Sequence, residues 1–259
     1  GEFQPLPSSS PGRAVGVERF TLSQPSHPDR PQDVMNDYPT AVGQMFGRAV
    51  GSQGEQPHLR LGRLSLSVAG YQEFFLARLP KGYLLSTRSN ASKFSALVPY
   101  LRHLSRTGSR TFTDIGCSSG LFAIYAASAG FRCGSLVDHD PEYLEVAAAV
   151  SDFLGLDDLT STQSTFSRLN EPADVVTCFA LIHWLYAATE NYGAIDTIVA
   201  TMADLARQTL IVEWVDPSDP AIQEGRHLRV GEEQTHSGYR RDVFIDALQR
   251  EFPYVVRSF

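Results

Sequence analysis

The chain has 259 residues, 42% hydrophobic, 20% charged and 10% aromatic, a globular mix that fits one large domain or one domain with an extension. Its 22 basic and 29 acidic residues leave a net charge of −7, so a broad basic footprint is missing and binding nucleic acid through phosphates is disfavoured as its main work. The longest stretch of low polarity, Leu121 to Gly130, is about half of the ~20 apolar residues a membrane span needs, and no basic segment followed by an apolar core marks a secretory leader. Cys117, Cys133 and Cys178 are odd in number and lack paired zinc spacing, which points to reduced thiols, a cytoplasmic setting and no metal site.

Residues 1–60 hold eight of the fifteen prolines and the run Ser8-Ser9-Ser10-Pro11. Such a stretch buries little apolar surface, so it reads as a largely flexible extension, with a short helix expected within Pro31 to Val50. Residues 61–110 read as a cap. Arg63 to Val68 alternates as a strand does, and the aromatic-rich Tyr71 to Leu79 is expected to be helical. A clearer helix follows, capped by Ser89 or Asn90, with Phe94, Leu97, Val98, Leu101 and Leu104 on one face and Gly108 ending it.

From residue 111 the signals alternate. Strands are expected at Thr111 to Ile115, Cys133 to Val137, Leu159 to Gln163, Ala173 to Phe179, Thr209 to Val215 and Tyr254 to Phe259. Helices are expected at Gly120 to Ala129, Pro141 to Leu154, around Ile195 to Leu205, and at Tyr239 to Phe252. Strands alternating with helices imply right-handed crossovers and a doubly wound, mostly parallel α/β sheet over residues 111–259.

In such a sheet ligands bind at the carboxyl ends of the strands. The loop there is Asp114-Ile-Gly-Cys-Ser-Ser-Gly120, in which Gly116 allows a tight turn and Gly120 a close helix. The small residues between them let backbone N–H groups approach a ligand. Asp138 follows Gly116 by 22 residues, where an acid can accept hydrogen bonds from both hydroxyls of an adenosine ribose.

The loop lacks the Gly-x-Gly-x-x-Gly of dinucleotide enzymes and resembles motif I of class I S-adenosylmethionine (SAM)-dependent methyltransferases, acid-x-Gly-x-Gly-x-Gly. Asp114, Gly116 and Gly120 match, and Ser118 replaces the middle glycine. The resemblance, closest to methyltransferase domains of polysaccharide-modifying enzymes, spans about Thr111 to Phe259. It implies a Rossmann-like fold and SAM as cofactor, contacted by Asp114, Gly116, Cys117, Ser118, Gly120, Asp138, His139 and Ala180. Thr165 and Phe166 fall where the family contacts adenine, without the usual acid. Ala180 to Tyr186 falls where the family lines the methyl-transfer site.

Methyl transfer to oxygen or nitrogen calls for alignment, exclusion of water and a base near neutral pKa. His183 is the candidate base, set against a structural histidine, and Glu213 either orients it, binds the acceptor or is satisfied locally. Glu213, Asp216, Asp219 and His227 carry no metal-ligand spacing. Tyr83, Arg88 and Trp184 are candidate contacts for a small-molecule or carbohydrate acceptor, with ordinary core packing or a solvated charge as the alternative. The family's final hairpin is short of a strand here, so either an earlier segment such as Arg63 to Val68 completes the sheet or other domains of a longer chain adjoin it. The expected function is methyl transfer, with a non-catalytic SAM- or partner-binding domain as the alternative.

Overall fold

The computed structural model describes residues 16–20, 57–87, 91–187, 194–219 and 238–256. They fall into two units, residues 1–100 and 101–259.

The first unit is a five-stranded antiparallel sheet made of β1 (Gly16–Phe20), β2 (His58–Leu61), β3 (Ser65–Ala69), β4 (Phe74–Leu79) and β5 (Gly82–Thr87). Their order across the sheet is β1-β5-β4-β3-β2. In β3 the buried Leu66 and Val68 alternate with half-buried serines, as the sequence pattern requires. β4 corrects the expectation of a helix at Tyr71 to Leu79. Its run Phe74-Phe75-Leu76-Ala77 is buried throughout, and a continuous apolar run does not distinguish a strand from a buried helix. Ladders to β3 on one side (Leu66↔Leu76) and β5 on the other (Leu76↔Leu85) decide it. The described residues of 61–110 therefore hold the end of β2, the strands β3, β4 and β5, and one helix. β1 comes from the stretch read as a flexible extension: Gly16 to Phe20, lying between Pro11 and Pro25, pairs with β5 from Gly16↔Thr87 to Phe20↔Tyr83. The helix expected within Pro31 to Val50 lies outside the described residues.

Helix α1 (Ala91–Thr107) carries Pro99, which cannot donate to the helical ladder, and the two units divide after Tyr100. Its expected caps, Ser89 and Asn90, lie outside the described residues.

The second unit opens with β6 (Thr111–Ile115), α2 (Leu121–Ala129), β7 (Cys133–Asp138), α3 (Pro141–Leu154) and β8 (Leu159–Gln163). It continues with β9 (Ala173–Cys178), α4 (Ile182–Ala187), α5 (Ile195–Leu205), β10 (Ala206–Val212) and α6 (Arg241–Glu251). The strands are parallel in the order β10-β9-β6-β7-β8, a Rossmann-like doubly wound sheet. α3 begins and ends where sequence chemistry places it. Asp140 caps it by accepting the Glu142 N–H at 2.9 Å, Pro141 occupies the first turn, and Gly155 closes it in the left-handed region. α2 is buried almost all round, which its run of Leu, Phe, Ile, Tyr and Ala demands. A core cluster including Ile115, Val176, Ile182, Ile198, Met202 and Phe244 joins the central strands to α4, α5 and α6.

Two further expectations change. β10 starts at Ala206, straight out of α5, and ends at Val212, so Glu213 to Val215 lie beyond the strand. Tyr254 to Val256 form no strand and are exposed, because nothing among the described residues pairs with β10 on its outer side. Nor does the earlier segment complete this sheet, since Ser65–Ala69 is committed to β2 and β4. No helix among the described residues is long and apolar enough to cross a membrane.

Candidate functional site

From β6 the chain steps through β7 to β8 on one side of the sheet, then returns to β9 and β10 on the other. The carboxyl ends of β6 and β9 thus flank the point where strand order reverses, the place where a sheet of this kind holds its ligands. Two non-glycine residues among those described have positive φ, Ser118 (50°) and Ala180 (47°), and they sit in these two loops. L-residues adopt that conformation at a cost, and such costs gather at functional sites.

Glycine is required on both sides of Ser118. Gly116 turns out of β6 at φ 73°, and a Cβ there would lie 2.9 Å from Leu181 Cδ2 in the loop after β9. Gly120 has φ 78°, and a Cβ would lie 3.2 Å from Ala147 Cβ and 3.3 Å from its Cα, so a side chain there would have to push α3 back by a few tenths of an ångström.

The loop amides do not point where the sequence placed them. Gly116 and Cys117 N–H both donate to Val137 O, at 2.8 and 3.0 Å, and Gly120 N–H donates to Cys117 O at 3.0 Å. Ser118 N–H donates to Asp138 Oδ2 at 2.9 Å. Four of the five amides from 116 to 120 are spent inside the protein, fastening the loop to the end of β7. Besides the Ser119 amide, the loop leaves two side-chain groups: Ser118 Oγ and Ser119 Oγ are buried without a hydrogen-bond partner, in residues only 8% and 1% exposed. Native proteins leave few buried hydroxyls unsatisfied, because each costs about 1–3 kcal/mol.

Asp138 ends β7, buried, with Oδ2 on the Ser118 amide and Oδ1 accepting Asp140 N–H at 3.1 Å. His139, its side chain 84% exposed, approaches the same Oδ1 with Nδ1 at 3.2 Å. A carboxylate offers about four acceptor positions, so two amides leave capacity for further donors once the solvent-exposed imidazole turns away. Asp114 lies inside the sheet. It is buried and its Oδ1 accepts the Thr177 hydroxyl at 2.7 Å, tying β6 to β9. Burial first, then the Asp114 carboxylate, pushes the thiols of Cys117 and Cys178 well above their ordinary value. Neither cysteine is therefore a nucleophile at neutral pH.

On the β8 side, Ser164 N–H donates to Asp138 O at 3.0 Å and brings the following turn to the acid. Thr165 is half-buried there, while the ring of Phe166 enters the core cluster. On the β9 side, Ala180 leads into α4, which carries His183, only 5% exposed, beside Trp184, which is half exposed. The two rings lie 5.6 Å apart at 39°. Glu213 lies one residue past β10, half-buried, its N–H donating to Cys178 O at 3.0 Å.

Beyond Glu213 lies an aromatic group that the sequence did not announce. Trp214 stacks on Tyr239 at 4.1 Å and 17°, and on Phe244 at 5.1 Å and 28°. The Tyr239 hydroxyl donates to Val215 O at 2.8 Å, and its ring meets Tyr186 edge-on at 5.2 Å. Burial and the Asp216 carboxylate push that hydroxyl well up, so it keeps its proton. Residues 25 apart in sequence, at unrelated spacing, leave no local pattern by which this contact is found. Tyr83 is buried in β5 of the first unit. Arg88 and His227 lie outside the described residues, and no three His, Cys, Asp or Glu among the described residues gather as metal ligands.

No protein-family model matches the chain, and no curated protein does. Solved structures similar in fold include the bifunctional kinase-methyltransferase WbdD, at 17% identity over 51% of this chain and 30% of that one, with a TM-score of 0.43. The magnesium protoporphyrin IX methyltransferase ChlM of Synechocystis PCC 6803, with bound SAH, matches at 20% identity over 60% of this chain and 71% of that one, with a TM-score of 0.44. The N-methyltransferase NodS of Bradyrhizobium japonicum WM9 matches at 14% over 62% and 84%, with a TM-score of 0.44. The chain spans about a third of WbdD, 32% of the monomeric form.

Proposed function

We propose that the second unit binds SAM in the crevice between the β6 and β9 loops and promotes transfer of its methyl group to oxygen of a small-molecule or sugar-containing acceptor. The observation that carries this is Asp138: a buried acid at the end of β7, fastened to the glycine-bracketed loop, with acceptor capacity left for ribose hydroxyls. The unpartnered hydroxyls of Ser118 and Ser119, and a loop whose glycines hold left-handed φ against close neighbours, fit a ligand held against this loop. When bound, the cofactor supplies an electrophilic methyl group on a sulfonium.

The chain's own residues do the rest. Asp138 accepts from the ribose, His139 borders it at the surface, and Thr165 lies on the adenine side. Asp114 acts through the sheet, holding β6 and β9 in register by its bond to Thr177. Ala180 turns the β9 loop toward the crevice. His183 takes the acceptor proton, with Glu213 orienting or relaying it, and Trp184 offers the acceptor an apolar face. A cytoplasmic location belongs to this reading, supported by three cysteines that are all free thiols.

One observation favours a second reading, a domain that binds SAM without turnover: His183 is buried, where an acceptor must displace other groups to reach it. Calorimetric titration with SAM and with S-adenosylhomocysteine tests the common premise. The native protein is expected to bind both in the micromolar range, and Asp138→Ala to weaken both about tenfold or more. Failure of the native protein to bind either ligand refutes the proposal; binding without transfer to any sugar or small-molecule acceptor in a broad extract selects the second reading.

A further inference from the structure

The first unit carries two hairpin turns that repeat a short pattern. The β2–β3 turn includes Arg60-Leu61-Gly62-Arg63 and the β4–β5 turn Arg78-Leu79-Pro80-Lys81: arginine, leucine, a turn-forming residue and a second cation. Antiparallel pairing puts both turns at the same end of the sheet, because β2 and β4 run toward it and β3 and β5 away from it. Arg78 N–H donates to Leu64 O at 2.8 Å and holds the two turns side by side. The pair Leu61↔Leu66 and the bond from Gly62 N–H to Ser65 O at 2.7 Å close the first turn, with Arg63 at its tip. The pair Leu79↔Gly82 closes the second, with Pro80 and Lys81 at its tip. Arg60, Leu61, Arg63, Pro80 and Lys81 are all exposed, Leu61 at 64%.

Charge is sorted around these turns. Residues 57–87 hold four Lys or Arg, all in the two repeats, and one acid, Glu73, which is buried at the opposite end of the sheet. Among the described residues no ion pair engages Arg60, Arg63 or Lys81. Residues 101–259, by contrast, hold 22 acidic residues against 12 basic. The turns therefore present a positive field on a chain of net charge −7. A lone exposed leucine is ordinary on a protein surface, but one set between cations on a turn matches an interface where anions lie over hydrocarbon.

We infer that the two turns dock the protein on an anionic membrane surface, with the four cations at the lipid headgroups and Leu61 entering the acyl boundary. A basic residue held at an anionic leaflet strengthens binding about fivefold, so four favour an anionic over a neutral surface by roughly two orders of magnitude or more. Single-stranded nucleic acid fits less well, because neither repeat carries an aromatic ring on which a base would stack. An acidic peptide would add along a strand edge or lie in a groove, whereas three of these four cations lie in or beside the turns and only Arg60 on a strand edge.

The test is sedimentation of the full chain with vesicles of phosphatidylcholine alone and of phosphatidylcholine with about 30% phosphatidylserine. The native protein is expected to bind the anionic vesicles, to ignore the neutral ones and to be released by high salt. Arg63→Gln/Lys81→Gln should bind about 25-fold more weakly, and each single change about fivefold. Arg102→Gln/Arg106→Gln makes the same charge change at exposed positions of α1 and should stay within about twofold of native. Leu61→Ser should weaken vesicle binding about fivefold or more. All these side chains are exposed, so melting temperatures near native are expected; the single changes serve if the double variant melts early. The inference is overturned if the native protein leaves anionic vesicles in solution, if the α1 variant loses as much as the turn variant, or if Leu61→Ser binds as native does. Binding of poly-glutamate or single-stranded RNA as tightly as the vesicles also overturns it, by making the turns a surface for soluble polyanions.

Discussion

Asp138→Ala should destabilise the second unit even when no ligand is present, because the carboxylate is the acceptor for two amides that fix the glycine loop and the entry to α3. Ser118 N–H, at 2.9 Å in a buried residue, loses its partner outright, and Asp140 N–H, at 3.1 Å in a half-buried one, falls back partly on water. Stranding the buried Ser118 donor costs about 1–3 kcal/mol and the lost Asp140 bond about 1 more, so the two together come to roughly 2–4 kcal/mol. In a unit of this size that is a fall of about 5–15 °C in melting temperature. Asp138→Asn keeps one oxygen acceptor and should lose about half as much. Both tryptophans, Trp184 and Trp214, lie in the second unit, so fluorescence during urea unfolding reports on that unit alone. A stability of Asp138→Ala within about 0.5 kcal/mol of native would refute the claim that this carboxylate fastens the loop.

Gly120→Ala should cost about 2–3 kcal/mol, since it meets both a left-handed φ and the backbone of Ala147 at 3.3 Å; Gly155→Ala, left-handed with open space around it, should cost about 1, and equal losses would remove the close approach from the explanation. His183→Ala should lower turnover about 100-fold or more with SAM affinity nearly unchanged, and unchanged turnover on a measured acceptor would end its role as base. Asp174 bears on acid stability. The Arg110 N–H holds its carboxyl below the ordinary value, with Thr111 adding to the effect against the opposing push of burial. A depressed folded-state pKa gives stability that is present above the ordinary aspartate range and lost as pH falls through the folded value. Urea unfolding of Asp174→Asn from pH 6 down to about 3 should therefore show a flatter acid limb than native, and parallel limbs would exclude this group as a source of the acid dependence. Cys133 is the exposed thiol of the three, so a thiol reagent at pH 8 should titrate about one equivalent in the native protein and three after denaturation; prompt reaction of more than one would contradict the burial of Cys117 and Cys178.

The alternation of strands and helices from Thr111 to Leu205 was legible in the sequence because it is written in local signals: period, caps and turns. Pro141 and Gly155 bracket α3 in the chain as they do in space, and Gly116 and Gly120 mark the loop by a conformation that other residues resist. Asp138 was legible for the same reason, as the end of an apolar strand. What eluded the sequence depends on partners far along the chain. Phe74 to Leu79 is a strand because β3 and β5 lie on both sides of it, and Gly16 to Phe20 becomes one by finding β5. Thr209 to Val215 loses its last three residues as strand because the ladder to β9 stops at Val212↔Cys178. The Trp214–Tyr239 stack and the bond of Asp114 to Thr177 each join segments that no spacing relates. Residue types at the loop raise the expectation of a ligand there, but only the folded chain decides which polar groups are still free to meet one. Val137 O and the Asp138 carboxylate claim the amides from a neighbouring strand, and the two serine hydroxyls are left over. Side-chain chemistry is a local property of the sequence; which polar group is already satisfied is a property of everything packed around it.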